Sequence, residues 1–232
     1  MVAKCGNERV WHWAHKGSRV CDPWWENETE WHRAWKNQFP ADWQEIVHHA
    51  EDGERHIADV NTLDGWVIEF QHSNIEPAER LSRETFYHSL IWVVDGVRRR
   101  RDAVAFARTL ATGTSWVPFS NKLRIGTPEG ALVRDWREGS AHVFFDFGNG
   151  QSLWWLYPGS NSERLYVQQI ARAQFLRTLR NTGLREFESL VDNFAAFIAH
   201  YESPPPTRSP KRLAVSPSNP TPLPSIRRRY RL

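Results

Sequence analysis

The chain has 232 residues, 40% of them hydrophobic, which suits one folded domain or one domain with an appendage. Its formal net charge is +3, but seven of its 30 basic residues and none of its 27 acidic residues lie after residue 202. Residues 1–202 therefore hold 23 basic and 27 acidic side chains, a balance of −4. This balance excludes a uniformly basic nucleic-acid-binding body and leaves any attraction to phosphates to local patches or to the tail.

Neither membrane insertion nor export is indicated by the sequence. No run of about 18 apolar residues is present, so no transmembrane helix is expected. The N-terminal residues also lack the apolar core of a signal peptide. We therefore expect no membrane partner and a reducing, cytoplasmic setting, in which the two cysteines form no structural disulfide.

Residues 1–22 are predicted to form a small, loop-rich N-terminal unit. It carries Cys5, His12, His15 and Cys21, and thiolates with imidazoles are typical ligands of tetrahedral zinc. Such a zinc ion would be structural and would stabilise a unit too small to fold alone. The set lacks a close Cys-x-x-Cys pair, so the alternative is a packed loop of tryptophans and histidines with two ordinary thiols.

The next segment, residues 23–112, is predicted to hold a helix followed by a hairpin-rich core. Pro23 suits the first turn of a helix over residues 24–37, which ends before Pro40. Three strands are predicted to follow, over residues 44–50, 55–61 and 66–72. The pair Asp64-Gly65 between the last two strands is a strong hairpin signal. A helix over 76–87, a buried strand over 90–94 and a helix from the basic run 98–101 to about residue 110 complete this segment.

Residues 113–202 are predicted to be β-rich at first and then helical. Short apolar runs at 131–136, 142–147 and 152–157 alternate with glycines, and Asn149-Gly150 is a hairpin signal between the last two. Helices are predicted over 162–180 and 184–201, the second with apolar residues at helical spacing. Residues 203–232 are rich in proline and are predicted to be disordered.

An oxygen-rich site is indicated where two of the predicted strands meet. Asp59 lies at the end of one strand, and Glu69 and Gln71 lie two residues apart on the next. Because alternate residues of a strand share a face, Glu69 and Gln71 project together. Carboxylates in this arrangement suit a hard divalent cation such as magnesium.

The predicted helix before these strands carries a third acidic candidate. Glu28, His32 and Lys36 recur at intervals of four, so they share one helix face, whereas Glu30 points well away from it. Among the acids of this helix, we therefore choose Glu28 as the candidate for the site. An ordinary solvent-facing pairing on the helix surface is the alternative.

The order and spacing of these motifs resemble the competence protein CoiA-like family, over roughly residues 5–110. The matching pieces are His12-Trp13-Ala14-His15, Glu28-Thr29-Glu30-Trp31-His32 with Lys36, Ala58-Asp59-Val60, residues 68–75, Glu79-Arg80 and residues 91–95. The resemblance implies a PD-(D/E)XK-type nuclease domain, with a mixed sheet flanked by helices and a metal-binding acidic cluster. A lysine usually stands two residues after the strand glutamate in that superfamily. Gln71 occupies this place here, so it would act through hydrogen bonds alone.

The expected function is therefore metal-dependent hydrolysis of DNA, most simply by an endonuclease. Magnesium or manganese at Glu28, Asp59 and Glu69 would polarise the scissile phosphate and lower the pKa of the attacking water. Gln71 and Ser73 would position the water or a phosphate oxygen, and His32 and Lys36 would support them. The family name links this chemistry to the processing of incoming DNA, and defence against foreign DNA is equally compatible.

Basic residues outside the acidic cluster could contact the nucleic-acid backbone. The candidates are Arg80, Arg83, Arg98, Arg99 and Arg100, whose phosphate contacts would position DNA without reading its sequence. An ordinary solvated face is the alternative for such a charge run.

Two other functions are compatible with the sequence. One is a non-catalytic nucleic-acid-binding protein that retains the nuclease fold, with Gln71 marking lost activity. The other is an interaction protein whose residues 114–201 bind a partner protein.

Overall fold

A computed structural model describes residues 2–6, 9–14, 28–49, 55–115, 123–126, 129–158, 164–180 and 184–202. The first two strands, β1 (Val2–Gly6) and β2 (Arg9–Ala14), pair as an antiparallel hairpin of their own. Nine further strands form one mixed sheet: β3 (Gln44–His49), β4 (Arg55–Asn61), β5 (Val67–Gln71), β6 (Leu90–Asp95), β7 (Thr114–Ser115), β8 (Leu123–Gly126), β9 (His142–Asp146), β10 (Ser152–Leu156) and β11 (Leu165–Ala171). The helices are α1 (Glu30–Lys36), α2 (Pro77–Phe86), α3 (Asp102–Thr112), α4 (Gly130–Trp136), α5 (Arg172–Arg180) and α6 (Leu184–Glu202).

The centre of the sheet is parallel and its two sides are antiparallel. The strand order is β3-β4-β5-β6-β9-β10-β11-β8-β7, and only the pairs β5–β6 and β6–β9 are parallel. Every residue of β5 and β6 is buried. Uninterrupted burial is expected of parallel strands that are covered on both faces.

Two hydrophobic cores cover the two faces of this sheet, and β6 shows the division. Ile91 and Val93 belong to one core, whereas Trp92 and Val94 belong to the other. The first core includes Trp35 of α1, Phe175 of α5 and Phe194 of α6. The second includes Phe106 of α3 and Trp136 of α4, together with Tyr87 directly after α2. The protein is therefore a mixed α/β structure with helices on both sides of its sheet.

The local signals in residues 44–110 predicted most of this architecture. The strands predicted over 55–61, 66–72 and 90–94 and the helix over 76–87 are present within a residue or two. The predicted hairpin turn closes through Thr62, whose amide N donates to the carbonyl of Trp66 at 2.8 Å, and Gly65 adopts φ +82°. That backbone conformation is open to glycine at little steric cost, which is why Asp-Gly specifies the turn.

Three predictions differ from the structure. Residues 131–136 are helical rather than extended, because Leu132, Val133 and Trp136 are the buried positions and their spacing is that of one helix face. Residues 165–171 form β11 rather than the start of a helix; a short apolar run cannot be assigned by periodicity alone, and pairing with β10 decides it. Helix α1 begins at Glu30, after the N-cap Thr29, so Glu28 precedes the helix instead of lying in it.

The sheet also continues across the boundary predicted at residue 112, because β9 pairs with β6. The zinc prediction falls largely outside the described residues. Only the backbone of Cys5 and His12 is described, in β1 and β2, and His15 and Cys21 are not described. Residues 203–232 also lie outside the described part. Among the helices that are described, none is long and apolar enough to cross a membrane.

Candidate functional site

Strands β4 and β5 separate at Asp59 and Glu69, and the two carboxylates fill the opening. In the ladder between these strands, Val60 is opposite Ile68 and Asn61 is opposite Val67. Beyond it, Asp59 Oδ2 accepts a hydrogen bond from the Phe70 amide at 2.9 Å. Glu69 Oε1 in turn accepts one from the Asp59 amide at 3.4 Å. We call this opening the Asp59–Glu69 fork; in it each carboxylate accepts a backbone hydrogen bond where the ladder between β4 and β5 is interrupted.

Helix α1 packs over the fork and directs His32 at it. Thr29 caps the helix by accepting from the His32 amide at 3.2 Å, and Trp35 stacks on Phe70 with ring centroids 5.7 Å apart. His32 Nε2 then lies 2.9 Å from Asp59 Oδ1. The direction of this contact is outside hydrogen-bond geometry, so His32 Nε2 is a buried nitrogen without an aligned protein partner.

Lys36 supplies a buried ammonium group beside the fork. Its Nζ lies 3.0 Å from Glu28 Oε1 and 2.7 Å from Glu45 Oε1. Burial by itself would lower the pKa of Lys36, but hydrogen bonds to Glu45 and Glu28 and the nearby charge of Asp59 outweigh it and raise that pKa. Lys36 therefore stays charged at neutral pH.

Glu45, the second partner of Lys36, has a backbone conformation that is uncommon for its residue type. Its φ is 55°, which makes it the one non-glycine residue in the described part of the chain with a positive φ. A left-handed conformation costs an L-residue about 1–2 kcal/mol. The β3–β4 pairing also omits Glu45 and the facing Asp59. Local strain and an interrupted ladder thus coincide at the fork, as they often do at functional sites.

Glu69 is already paired with a cation from the opposite face of the sheet. Arg83 of α2 places its Nη1 3.1 Å from Glu69 Oε2, and both side chains are buried. Arg83 also pairs with Glu79 through its other terminal nitrogen. A buried carboxylate needs such a partner, because an unpaired charge in the interior is costly. A cation that entered the fork would therefore share Glu69 with Arg83.

Gln71 and Ser73, the two predicted positioning residues, are joined to each other. Gln71 Nε2 donates to Ser73 Oγ at 3.1 Å, and Gln71 is buried while Ser73 is exposed. The amide side chain is thus held in place at the end of β5. An amide carries no charge, whereas the Lys36 ammonium group interacts electrostatically with Asp59.

The structure places two of the three predicted carboxylates, Asp59 and Glu69, at the same interruption of the β4–β5 ladder. Asp59 Oδ1 faces His32 of α1, Glu69 Oε2 faces Arg83 of α2 on the other side of the sheet, and Glu28 pairs with Lys36. Within the described residues no group of three or more His, Cys, Asp or Glu side chains is arranged to hold a metal ion. The side chains at the fork still suit a hard cation in kind, since both are carboxylates.

The predicted nucleic-acid contacts divide into buried and exposed residues. Arg80 and Arg83 lie inside the protein rather than on an exposed helix face, with 8% and 4% of their surface accessible. Arg99 pairs with Asp102 and Asp135. Burial, and secondly the charge of Arg99, lowers the pKa of Arg98. Arg100 is exposed, so it is the predicted contact most open to a ligand.

Sequence reasoning missed a second set of polar residues at the same end of the sheet. His72, Asp95 and Asp146 lie at the carboxyl ends of the three parallel strands β5, β6 and β9. Asp95 and Asp146 are direct neighbours in the parallel register, and both are buried. The available signal was an acidic residue at the end of an apolar strand. Ligands of open α/β sheets bind beyond the carboxyl ends of parallel strands, so such a residue is a candidate for a site.

Comparison of the chain with models of protein families, with curated proteins and with solved structures found no match. The geometry of the fork and of the neighbouring strand ends is therefore the basis for a functional proposal.

Proposed function

We propose that the chain is a metal-dependent nuclease that hydrolyses phosphodiester bonds of DNA at the Asp59–Glu69 fork. The observation that carries the proposal is that both carboxylates lie where β4 and β5 separate, each accepting a backbone hydrogen bond there. The motif order that resembles CoiA-like proteins supports the same conclusion. We accordingly propose a PD-(D/E)XK-type core that serves competence, DNA processing or defence against foreign DNA.

Each residue around the fork would have a distinct part in the reaction. Asp59 and Glu69 would hold magnesium or manganese, which when bound supplies Lewis-acid activation of the phosphate and of the attacking water. His32 would fix the orientation of Asp59 through their 2.9 Å contact. Lys36 would offset the negative charge that Asp59, Glu28 and a phosphate bring together.

Arg83 would keep the fork stable when no cation is present. It neutralises Glu69 from the α2 side, and Glu79 gives it a second carboxylate partner. Arg83 would therefore keep a carboxylate partner if an oxygen of Glu69 bound a metal ion. Gln71 and Ser73, held together at the end of β5, would orient water or a phosphate oxygen by hydrogen bonds.

Cleavage of DNA by designed variants tests the proposal. Purified protein is incubated with plasmid, linear and single-stranded DNA in magnesium, manganese or EDTA. We expect metal-dependent cleavage that falls at least about 100-fold in Asp59→Asn and in Glu69→Gln, because each removes a charged oxygen ligand. Asp64→Asn is the matched control, since Asp64 is an exposed acid in the hairpin turn of the same two strands. Equal cleavage by all four proteins would contradict the proposal.

Metal binding is measured independently of cleavage. A ligand that binds the folded state raises its unfolding temperature by mass action. We therefore expect magnesium or manganese to raise the unfolding temperature of the wild-type protein and of Asp64→Asn, and to leave that of Asp59→Asn unchanged.

A second candidate function is non-catalytic binding of nucleic acid on the same fold. The observation that favours it is the buried Glu69–Arg83 ion pair, which already neutralises a proposed metal ligand. Gln71 in the place of a lysine supports it too. DNA binding without cleavage in any metal, together with no metal-induced stabilisation, would identify this function.

A further inference from the structure

A histidine held by a buried aspartate stands at the carboxyl ends of the parallel strands. His72 directly follows β5, and Asp95 is the last residue of the neighbouring β6. His72 Nδ1 lies 2.7 Å from Asp95 Oδ2. The other oxygen of Asp95 accepts from the Val97 amide at 2.9 Å, and 5% of Asp95 is accessible. Asp95 is thus fixed at both oxygens, and it fixes the imidazole in turn.

Of the two acids at these strand ends, Asp95 is the charged partner of His72. On α1, the ring of Trp31 packs 6.0 Å from the imidazole. On β9, Asp146 Oδ2 accepts from the indole nitrogens of Trp35 at 2.9 Å and of Trp31 at 3.3 Å. Arg172 of α5 lies 3.6 Å from that same oxygen. The second acid at these strand ends is therefore engaged by other side chains.

This arrangement determines what His72 can do chemically. An ionised carboxylate only accepts hydrogen bonds, so Asp95 places the proton of a neutral imidazole on Nδ1. The lone pair is then on Nε2, and the side chain is 36% exposed. The Asp95 carboxylate would also stabilise the imidazolium that forms when Nε2 takes up a proton. In histidine–aspartate pairs of hydrolases the aspartate likewise orients the histidine and stabilises its imidazolium, and the histidine is the base.

Helix α1 contacts both His72 and Asp59, which places His72 on the Asp59 side of the fork. Asp59 reaches the amide of Phe70, and His72 is two residues further along the chain, a distance of about 7 Å along an extended strand. Successive residues of α1 cover the two places, since His32 contacts Asp59 and Trp31 contacts His72.

We propose that His72 is the general base of the hydrolysis and that Asp95 is its positioning residue; this inference rests on the proposed nuclease function. His72 Nε2 takes a proton from the attacking water as the water oxygen forms its bond to phosphorus. The bond from phosphorus to the leaving oxygen breaks, and that oxygen keeps the electron pair and takes a proton from solvent. The imidazolium then returns its proton to solvent, so the net reaction consumes one water per bond cleaved.

Steady-state cleavage of a DNA substrate in magnesium, measured as a function of pH, tests this role. We expect His72→Gln to lower kcat by at least about 100-fold with little change in KM, as is typical for loss of a general base. It should also remove the acidic limb of the kcat profile. Asp95→Asn should also lower kcat with little change in KM, because the imidazole loses the carboxylate that orients it. His88→Gln is the matched control, since His88 is an exposed histidine that follows α2.

The outcomes separate this inference from the proposed function. If Asp59→Asn abolishes cleavage while His72→Gln keeps kcat within about threefold of wild type, His72 is not the base and the nuclease function stands. If His72→Gln raises only KM, the residue binds substrate and the inference is overturned. A wild-type protein that cleaves no nucleic acid in any metal overturns both proposals. Unfolding temperatures of all variants show whether a loss of activity reflects a loss of folding.

Discussion

Acid should destabilise this protein measurably through His142, the first residue of β9. Four aromatic rings surround its imidazole: those of Trp66, Trp155, Tyr157 and Phe187. Burial lowers the pKa of His142 from 6.5 to about 4. The Trp155 indole nitrogen also donates to His142 Nδ1 at 3.3 Å, a bond that needs the neutral ring.

The size of the effect follows from the two pKa values. The folded state binds the proton less tightly than the unfolded state, so stability is fully present above pH 6.5 and is lost as pH falls towards 4. The complete difference corresponds to about 3 kcal/mol. Between pH 7.5 and pH 5 the linkage relation predicts a loss of about 2 kcal/mol in the free energy of unfolding from this residue alone.

Urea denaturation at these two pH values measures the loss. His142→Asn retains a carbonyl oxygen as acceptor for the Trp155 indole but cannot take up a proton in this range. We expect the pH-dependent loss of this variant to be smaller than that of wild type by about 2 kcal/mol. His88→Asn, at an exposed histidine, should behave as wild type. The reasoning is refuted if wild type and His142→Asn lose the same free energy between the two pH values.

Two further predictions concern stability at other places in the fold. Arg83→Met should lower the free energy of unfolding by about 3–5 kcal/mol, because it removes the cation that pairs with the buried Glu69 carboxylate. Adding Glu69→Gln should restore part of this free energy. Additive effects of the two substitutions in a double-mutant cycle would contradict the pairing. Gly130→Ala should be more destabilising than Gly148→Ala. Both glycines have a positive φ, but a Cβ at Gly130 would lie 2.7 Å from Ala105 Cβ, whereas Gly148 faces open space. Equal losses in urea denaturation would show that α3 and α4 adjust to the added methyl group.

The sequence by itself determined the elements that depend on near neighbours. The hairpin turn at Gly65 requires a positive φ, which glycine adopts readily, and a short apolar run predicts the strand Leu90–Asp95. The backbone contact of Asp59 with Glu69 belongs to the same class, because one tight turn separates the two strands and sets their register. Where a short apolar run had no such turn beside it, as at 131–136 and 165–171, local pattern was insufficient.

Tertiary structure decided which side chains share the site and how each charge is balanced. Arg83 reaches Glu69 because α2 packs on the face of the sheet opposite α1, and no spacing rule in the sequence implies that contact. Asp146 accepts from Trp31, which lies 115 residues earlier in the chain. These long-range contacts depend on which strand pairs with β6. The packing of the two hydrophobic cores determines that pairing, and local sequence preference does not. The His72–Asp95 pair likewise exists only because parallel pairing brings two strand ends together.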